Sequence, residues 1–573
     1  MRRTHLRLLA GLIVLTLIAS SGLVWLEVLQ PEAGDQLRYR LQAQWPWLAG
    51  DGLRQDSPLG VVNVRVDPSA GGRPISPLIY GVAAAQPDVV RALGATVDRS
   101  GGNPASRYNW VDGHAWNAAR DWEFRNVNYS GQGGSAADAG VQGNQTAGAT
   151  TLLTVPTLGY VARNDDVQTR SRNVPAQGGP PLQPGSAAIQ GYDPAANRAA
   201  TSVLSLARRP AAQSDGASPQ ATAVYQDEWI HHLVTRFGGG SRGVQYYAMD
   251  NEPDLWSSTH TDVHPTRMGY DDMLANFEEY ASMVKEQDPQ ARVLGPDVSG
   301  WTGYFYSDLD RGDDNFGSHA DRSRHGGQAF LPWWLGEVAR ADAALGHRTL
   351  DLLDVHYYPQ APAVFSEAND RSTQALRVRS VRSLYDPGYR DESWIGEPVM
   401  LIPRLRQWIA QQYPGTGLAI TEYNWGGERD ASGAVALAEA LGTFGREGVD
   451  LATYWTYPPP ESPAGAAFRL YRNYDGRGGA FGDLSLPATS GDSRVASYAA
   501  RHSDSGEVDV IVANQSTTGS AKVSIGAGSG NYRASRFNVK PGTGRIEPSA
   551  MTSPGAAFEL PPLGVAMVRL APA

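Results

Sequence analysis

The stretch Tyr246–Trp256 reads YYAMDNEPDLW and turns abruptly from an apolar, aromatic run to Asp-Asn-Glu-Pro. An extended run that gives way to acidic residues followed by proline is typical of a buried strand ending at a polar mouth. Parallel β/α barrels carry their chemistry at that end of their strands. Asn251 and Glu252 offer a hydrogen-bonding amide beside a proton donor, although an isolated Asn-Glu-Pro is also compatible with an ordinary loop start.

A second stretch has the same design. Residues 417–425 read GLAITEYNW, so an apolar strand ends on Glu422 among aromatic side chains. Hydrolysis of a bond between two sugars needs a pair of carboxyl groups that flank the bond. Two strand-end glutamates that lie far apart in sequence, each near Trp and Tyr, therefore predict a sugar-cleaving site built from Glu252 and Glu422.

Strand-like apolar runs recur between residues 78 and 455, and each reaches a polar or aromatic end. Segments with helical spacing lie between many of them, and this alternation predicts the α/β class with a (β/α)8 TIM-like barrel. Residues 161–222, rich in Gly, Pro, Gln and Ser, are interpreted as a long rim loop. The eight predicted strands are Leu78–Val82, Thr96–Arg99, Thr151–Val155, Val244–Met249, Arg292–Pro296, Leu352–Tyr357, Leu418–Glu422 and Leu451–Trp455.

The pattern changes near residue 491, where short β-branched runs follow one another without helices and predict a β-sandwich. These runs are Glu507–Ala513, Ser520–Ile525, Tyr532–Val539 and Val565–Leu570. An earlier strand near residue 64 precedes the barrel pattern and is expected to pair into this sandwich. The predicted organisation is a signal-anchor in 1–30, a spacer in 31–57, the sandwich strand in 58–72, the catalytic barrel in 73–490 and the β-sandwich in 491–573.

The N-terminus predicts export. Arg2, Arg3 and Arg7 precede the uncharged run Leu8–Leu26, which as a helix would span about 28 Å, close to the thickness of a hydrocarbon core. The basic residues place the N-terminus inside and the rest of the chain outside. We expect an anchor in the cytoplasmic membrane; the small residues of 19–21 leave open a cleaved signal and a secreted protein, and a buried core helix is a third interpretation.

Composition restricts the partners. The 573 residues carry a formal net charge of −10 and include no cysteine. The negative charge argues against a nucleic-acid partner, and the missing cysteines exclude disulfides and thiolate metal sites. His260 and His264 lack a carboxylate at metal-ligand spacing, so we predict no metal site, and no nucleotide fingerprint points to a cofactor. The expected chain is a monomer that binds a polysaccharide and touches the membrane only through its N-terminal segment.

Further side chains at strand ends are candidates for the site. The sequence His356-Tyr357-Tyr358 ends the sixth strand, where a tyrosine can donate to Glu422 and His356 can line the sugar site; packing at the barrel rim is the alternative for each. At the end of the second strand, Arg99 and Asn103 are placed to hold a carboxylate or a sugar hydroxyl.

Four tryptophans stand beside strand-end motifs, and we expect several of them to line one elongated cleft. They are Trp110, Trp256, Trp425 and Trp455. Aromatic faces stack on sugar rings with little hydrogen-bonding specificity, which suits a repeating polymer. Trp455, at the end of the eighth strand, is predicted to form the floor under one sugar, with plain core packing as the alternative.

Four motifs in the correct order resemble glycoside hydrolase family 44, the endoglucanase and xyloglucanase family. They are RSGGN with RYNW in 99–110, DNEPDLWSSTH with VHP in 250–265, TEYN in 421–424, and YRNYDG with FGD in 471–483. The resemblance covers roughly residues 60–573. It implies a barrel with a sandwich built from both chain ends, and a retaining mechanism with Glu252 as acid/base and Glu422 as nucleophile.

The leading hypothesis is an exported, endo-acting hydrolase of β-1,4-glucan-type polysaccharide, such as cellulose-like glucan or xyloglucan. Direct attack by Glu422 predicts carboxyl groups about 5–5.5 Å apart. A retaining exo-glycosidase of a related clan is a second hypothesis, and it predicts a closed pocket instead of an open groove. A membrane-tethered glycan-binding protein without activity is the third, and the presence of both glutamates disfavours it.

Overall fold

The computed structural model describes residues 59–573, apart from 123, 130–134, 173, 175–193, 211–221, 313 and 529. The predicted anchor in 1–30 and the whole predicted spacer in 31–57 therefore lie outside the described residues. Within the described ranges, no helix combines the length and the apolar character that crossing a bilayer requires.

Eight parallel strands close into a barrel, which confirms the predicted fold class. In chain order, barrel strands 1 to 8 are Gly81–Ala83, Val97–Ser100, Thr150–Val155, Tyr246–Met249, Arg292–Val298, Leu352–Tyr357, Gly417–Tyr423 and Leu451–Tyr454. Each strand is followed by a principal helix, respectively Pro87–Leu93, Ala136–Ala147, Gln226–Phe237, Tyr270–Gln287, Phe330–Leu345, Leu401–Gln412, Ala431–Glu447 and Pro463–Arg472. Further helices lie in the loops at Trp256–Thr259, Trp301–Phe305, Asp308–Arg311, Ala320–Arg324 and Arg371–Ser380.

Alternation along the strands divides the barrel residues into two faces. In strand 6, Leu352 lies in the apolar cluster that fills the barrel interior, whereas Leu353 and Val355 pack in the larger core that also includes helix residues. The same period of two places Asp354 and His356 on the inner face. Both faces of these strands are buried, which explains why most of them read as continuous apolar runs.

The first barrel strand begins later than predicted. Residues Pro77–Ile79 form a 3-10 turn, and Ser76 Oγ accepts a hydrogen bond from Leu78 N at its start. The apolar run that predicted Leu78–Val82 therefore contains this turn as well as the strand. Apolar character was the right signal for burial, but it did not distinguish the turn from the strand.

The interpretation of 161–222 as a long loop is wrong for the part of it that the structure describes. Strands Tyr160–Ala162, Ser202–Leu206 and Ala223–Tyr225 form a small sheet, and helix Pro194–Ala200 precedes the second of them. With three to five residues each, these strands are too short for a reliable alternation.

The sandwich consists of a four-stranded and a seven-stranded sheet. The smaller one has the order Ala488–Ser490, Val61–Val66, Ala521–Gly526 and Phe558–Leu560. The larger one has the order Arg73–Pro74, Leu484–Leu486, Val495–Arg501, Val508–Asn514, Val565–Pro572, Tyr532–Val539 and Ile546–Ala550. The strand near residue 64 thus lies inside the smaller sheet, where it runs parallel to Ala521–Gly526 and antiparallel to Ala488–Ser490.

Helix Ala431–Glu447 connects the two parts of the molecule. Its surface is buried over most of its length, between the barrel and the sandwich. Gln515 of the sandwich donates its side-chain amide to Glu439 Oε2 at 2.7 Å, and the hydroxyls of Thr443 and Tyr498 lie 3.0 Å apart. Glu439 itself is fully buried.

Candidate active site

Glu252 lies just past the end of barrel strand 4, in a backbone that is unusual for a non-glycine residue. Asp250 has φ 69° and Glu252 has φ 48°, both in the left-handed region. Such conformations cost on the order of 1–3 kcal/mol each and persist only where the surroundings fix them. Here Asp250 accepts a hydrogen bond from Leu158 N at 2.9 Å, and Glu252 N donates to Asp297 O at 3.0 Å.

Glu422 lies on barrel strand 7 and is held through both carboxylate oxygens. Arg99 Nη1 donates to Glu422 Oε1 at 2.6 Å, and the hydroxyl of Tyr358 donates to Glu422 Oε2 at 2.7 Å. The Glu422 side chain is only 6% exposed. Hydrogen bonds from charged donors such as Arg99 are stronger than neutral ones, and together the two contacts fix the orientation of the carboxylate.

The two glutamates face each other with His356 beside both. The Nδ1 atom of His356 lies 2.9 Å from Glu252 Oε1 and 3.5 Å from Glu422 Oε2. One ligand-type atom from each of the three residues lies within 4.8 Å of the others, so an oxygen of Glu252 is within 4.8 Å of an oxygen of Glu422. The structure therefore brings together the two glutamates that the sequence pairs.

Glu252 is placed to carry a proton near neutral pH. Burial raises the pKa of its carboxyl to about 7, and the charge of Glu422 adds to this shift although the hydrogen bond from His356 opposes it. In the structure, removal from water is the larger effect, since only 15% of the Glu252 side chain is exposed.

Two carboxyl groups that the sequence analysis did not identify lie beneath this pair. Asp297 Oδ1 is 2.5 Å from His356 Nε2, and Asp297 Oδ2 is 3.4 Å from Arg99 Nη2. Asp354 accepts hydrogen bonds from the backbone and the hydroxyl of Thr421. The sequence does contain a signal for each of them. Asp297 is an acidic residue directly after the predicted end of strand 5 at Pro296, and Asp354 is an acidic residue inside the apolar run of strand 6.

Asn251 and Asn103 connect strands 4 and 2 at the barrel mouth. Asn251 Oδ1 accepts hydrogen bonds from Arg99 Nη2 at 3.0 Å and from Gly102 N at 3.2 Å. Asn251 Nδ2 donates to Asn103 Oδ1 at 3.3 Å, and Asn103 Nδ2 donates to Asp121 at 3.1 Å. Asn103 is partly exposed and stays a candidate for substrate binding, whereas Asn251 is buried by these contacts.

Three residues that were predicted to contact sugar lie against the catalytic glutamates or in the core. Arg99 holds the carboxylate of Glu422, which is one of the two roles predicted for it. Arg99 and His356 are both fully buried, so neither side chain presents surface to a sugar. They contact Glu422 and Glu252 because period-two alternation aims both side chains into the barrel. Tyr357 points the other way and packs against Trp425, with ring centroids 5.9 Å apart. Of the two predicted tyrosines, Tyr358 is the one that reaches Glu422.

Three of the four predicted cleft tryptophans are in the core. Trp110, Trp256 and Trp425 are 8%, 1% and 3% exposed, so the prediction that they line a cleft is wrong. Each indole N–H is used internally, for example by Trp256 to the carbonyl of Asn251. Trp455 differs, because it is partly exposed and packs its six-membered ring against Gly102. Its role as a sugar floor stays a prediction.

Four other aromatic residues are exposed and were not predicted, and three of them are linked to residues of the site by the chain or by contacts. Trp122, Tyr129, Phe365 and Trp394 are 50–59% exposed. Trp122 follows Asp121, the partner of Asn103, and Phe365 packs against Tyr358 with ring centroids 5.2 Å apart. Trp394 donates to Gln360, which donates to the carbonyl of Tyr358. These residues lie in the connections between strands and not in strand-end motifs, so the apolar runs of the sequence do not point to them.

The site contains side chains of the types that bind metal ions, but these side chains are already engaged by other residues of the protein. Glu252, His356 and Glu422 are close enough to share an ion. However, Arg99 and Tyr358 already donate to Glu422, and Asp297 binds the far side of His356. The donors Arg99 and Tyr358 instead suit a site that transfers protons between protein and substrate.

Comparison with known proteins identifies the family. Residues 115–361 match the model of glycoside hydrolase family 44. The crystal structure of CelM2, a bifunctional glucanase-xylanase protein from a metagenome library, is 33% identical and superimposes with a TM-score of 0.78, covering 90% of this chain and 100% of that one. The chain belongs to glycoside hydrolase family 44. The resemblance inferred from the four motifs is thereby confirmed.

Two further comparisons are with proteins that are named for an activity. Endoglucanase A of Paenibacillus lautus is 33% identical over 466 residues, which are 77% of this chain and 62% of that protein. This chain thus spans less than two thirds of the length of that relative. A Paenibacillus polymyxa xyloglucanase of family 44, solved with xyloglucan, is 27% identical with a TM-score of 0.77 and covers 90% of this chain and 100% of its own.

Proposed function

We propose that this chain is a retaining, endo-acting hydrolase of β-1,4-glucan-type polysaccharide, with cellulose-like glucan and xyloglucan as candidate substrates. The observation that carries the proposal is the approach of Glu252 and Glu422, whose nearest ligand-type oxygens lie within 4.8 Å. Carboxyl groups about 5–5.5 Å apart suit direct attack on the sugar, whereas a gap of roughly 6.5–9.5 Å leaves room for a water molecule.

In the first step, Glu422 attacks the anomeric carbon with a carboxylate lone pair. The bond from that carbon to the leaving oxygen breaks, and the leaving oxygen takes the proton of Glu252. The raised pKa of Glu252 keeps this proton available near neutral pH. Arg99 and Tyr358 hold the two oxygens of Glu422, so the nucleophile reaches the carbon already oriented.

In the second step, the roles of the carboxyl groups reverse. Glu252, now ionised, takes a proton from water as the water oxygen attacks the anomeric carbon. The ester bond breaks and its electron pair returns to Glu422 as a carboxylate. Two inversions at the same carbon give net retention of configuration.

The placement of exposed aromatic residues supports an open cleft. Trp122 lies near the end of strand 2, because the preceding residue Asp121 bonds to Asn103, which follows that strand. Phe365 lies near the end of strand 6, because it packs against Tyr358, which follows that strand. Strands 2 and 6 are four positions apart in a barrel of eight, so these loops stand on opposite sides of the mouth. Aromatic surfaces on both sides of the catalytic pair suit a polymer that extends past the cleaved bond in both directions.

The relatives support the substrate class. Endoglucanase A of Paenibacillus lautus and the Paenibacillus polymyxa xyloglucanase both carry names for glucan-backbone hydrolysis. We propose the same backbone for this chain, and we propose that it acts outside the cytoplasm. The second proposal rests on the basic N-terminus and the uncharged run Leu8–Leu26.

Stereochemistry tests the mechanism. Proton NMR of the first product released from a soluble glucan should show the β-anomer before it equilibrates. An α-anomer would mean that water attacks directly, and Glu422 would then not be the nucleophile. Glu422→Gln is the matched control, because it keeps the shape of the side chain and removes its charge; it should lose nearly all activity.

Product analysis tests the substrate and the mode of action. The purified full-length protein is assayed on xyloglucan, carboxymethylcellulose, mixed-linkage glucan, glucomannan and xylan. Endo action predicts that viscosity falls early, while few reducing ends have formed. Release of monosaccharide alone, with viscosity unchanged, would contradict the proposal and favour the exo-acting alternative.

A further inference from the structure

His356 occupies a position that the two-glutamate mechanism does not by itself explain. Its Nδ1 atom lies 2.9 Å from Glu252 and 3.5 Å from Glu422, and its Nε2 atom lies 2.5 Å from Asp297. The side chain is fully buried, as is that of Asp297. The hydroxyl of Tyr304 donates to the carbonyl of His356 and helps to fix the backbone.

The surroundings of His356 favour its charged form. Burial alone would lower the pKa of the imidazole, but the charges of Glu422 and Asp297 outweigh it and raise this pKa well above its ordinary value. Burial would likewise raise the pKa of Asp297, but His356 and Arg99 lower it below its ordinary value. An ionised Asp297 therefore accompanies an imidazolium, and both ring nitrogens carry protons.

We propose that His356, kept charged by Asp297, donates through Nδ1 to whichever of the two glutamates is ionised at each stage of the reaction. This inference rests on the proposed function, because it assigns a role within the same two-step mechanism. His356 and Asp297 are positioning residues here, since neither touches the substrate.

Charge balance through the cycle supports this role. Before attack, Glu422 is ionised and Glu252 carries the proton. After attack, Glu422 is an ester and Glu252 is ionised. The negative charge moves between two oxygens that both lie within 3.5 Å of the same N–H group, so a small turn of one ring accompanies it. The summed charge of Arg99, His356, Asp297 and the two glutamates is zero in both states.

Arg99 faces His356 with a like charge, since its Nη2 atom lies 3.4 Å from Nε2 of the imidazole. Asp297 contacts both cations, at 2.5 Å from His356 and 3.4 Å from Arg99. Arg99 reaches Asp297 and Glu422 from strand 2, and Tyr358 donates to Glu422. Asp354, two residues before His356 on strand 6, has a pKa raised to about 8 by burial and by the charge of Asp297. Asp354 accepts from Thr421, whereas Asp297 lies 2.5 Å from Nε2 of His356, so Asp297 is the carboxylate that stabilises the imidazolium.

The variant Asp297→Asn keeps a hydrogen-bonding group and removes the charge that holds the proton on His356. A neutral His356 stabilises an ionised Glu252 less, so at a given pH a smaller fraction of Glu252 is ionised and able to act as the base of the second step. A dinitrophenyl β-cellobioside isolates this step, because its leaving group departs without protonation. We expect a burst of dinitrophenolate followed by turnover that is about tenfold to a hundredfold slower than in the wild type.

The pH profile separates this role from a structural one. In Asp297→Asn the acid limb of turnover should move to higher pH by about one to three units, since the pKa of Glu252 in the glycosyl-enzyme rises without the nearby cation. Asp354→Asn is the matched control: Asp354 is equally buried but accepts from Thr421 instead of His356, so the acid limb should stay in place whatever happens to the rate. An unmoved limb in Asp297→Asn would overturn the proposal.

A measurement on the wild type covers the case in which Asp297→Asn does not fold. Nitrogen-15 NMR of labelled histidines should show His356 still as an imidazolium at pH 8, assigned by difference from His356→Gln. A neutral ring at pH 7 would also overturn the proposal. Failure of the underlying function is distinguishable, because the wild type would then not be trapped covalently at Glu422 by an activated 2-deoxy-2-fluoro-glycoside.

Discussion

Arg99 and Glu422 form a buried ion pair with 2.6 Å between Nη1 and Oε1, although 323 residues separate them in the chain. Arg99 has no exposed surface, and its pKa is raised because the charges of Asp297 and Glu422 outweigh burial. A buried pair contributes little net stability compared with an apolar pair, but removing one member leaves an uncompensated charge. Strand 2 is therefore linked electrostatically to strand 7 across the barrel.

Because the pair is buried, we expect that removing Arg99 alone destabilises the protein more than removing Arg99 together with the charge of Glu422. Arg99→Met should lower the free energy of unfolding by about 3–5 kcal/mol, because it leaves Glu422 and Asp297 with only His356 as a neighbouring cation. The double variant Arg99→Met/Glu422→Gln should recover part of this loss, since one of the two stranded charges is gone. Urea denaturation at pH 7 measures both variants. A double variant less stable than the single one would mean that Arg99 stabilises the fold mainly by packing.

The acid proton on Glu252 predicts a basic limb near pH 7. The pKa of Glu252 is raised to about 7 mainly by burial, so the protonated form needed for the first step is lost as the pH rises through that value. On a polysaccharide, kcat/KM should fall above this pH. Glu252→Gln, assayed with a dinitrophenyl glycoside, should lack the limb, and added azide should restore turnover by replacing activated water. A limb that persists in this variant would assign it to another group.

The exposed tryptophans predict a loss of affinity that is confined to polymers. Trp122→Ala and Trp394→Ala each remove an aromatic surface worth about 0.5–1.5 kcal/mol, so KM for xyloglucan should rise roughly twofold to tenfold. Turnover of an aryl cellobioside should be unchanged in at least one of them, since the short substrate does not reach both sides. Leu345→Ala is the control, because Leu345 is 53% exposed at the far end of its helix from the barrel mouth. Equal losses on both substrates would contradict an extended cleft.

Because Glu439 is buried, we expect the stability of the protein to decrease as the pH rises. Burial raises its pKa from 4.5 to about 8 in the folded protein. Between these values the unfolded chain has lost the proton and the folded chain has kept it, so the free energy of unfolding decreases as the pH rises through this window. Glu439→Gln still accepts from Gln515 and should flatten this slope in urea titrations at pH 5, 6, 7 and 8. Exposed Glu559→Gln should leave the slope intact; a steep slope in Glu439→Gln would point elsewhere.

The architecture and the catalytic pair were accessible from the sequence because both depend on local pattern. Parallel strands that are buried on both faces read as apolar runs, and Glu252 and Glu422 each terminate such a run. The same logic placed Arg99 and Tyr358 at strand ends. It did not reveal whether a strand-end side chain points to the substrate or beneath it, and Arg99 and His356 proved to lie beneath.

Aromatic residues were the least predictable part of the site. Trp110, Trp256 and Trp425 stand next to the motifs in sequence, yet each indole N–H is bonded internally and the rings pack in the core. Trp122 and Trp394 lie in loops whose course depends on long-range contacts, such as Trp394 with Gln360. Sequence proximity to a catalytic residue therefore did not indicate exposure.

Strand Val61–Val66 pairs with Ala521–Gly526, so the first and last parts of the described chain share one sheet. During synthesis at roughly 5–20 residues per second, this early strand must wait about half a minute to a minute and a half before its parallel partner leaves the ribosome. The barrel can form in that interval, but an apolar, alternating strand stays without its partner. Recombinant yield should therefore depend on chaperone supply more than the stability of the finished enzyme suggests, and truncation at either end of the sheet should produce aggregation.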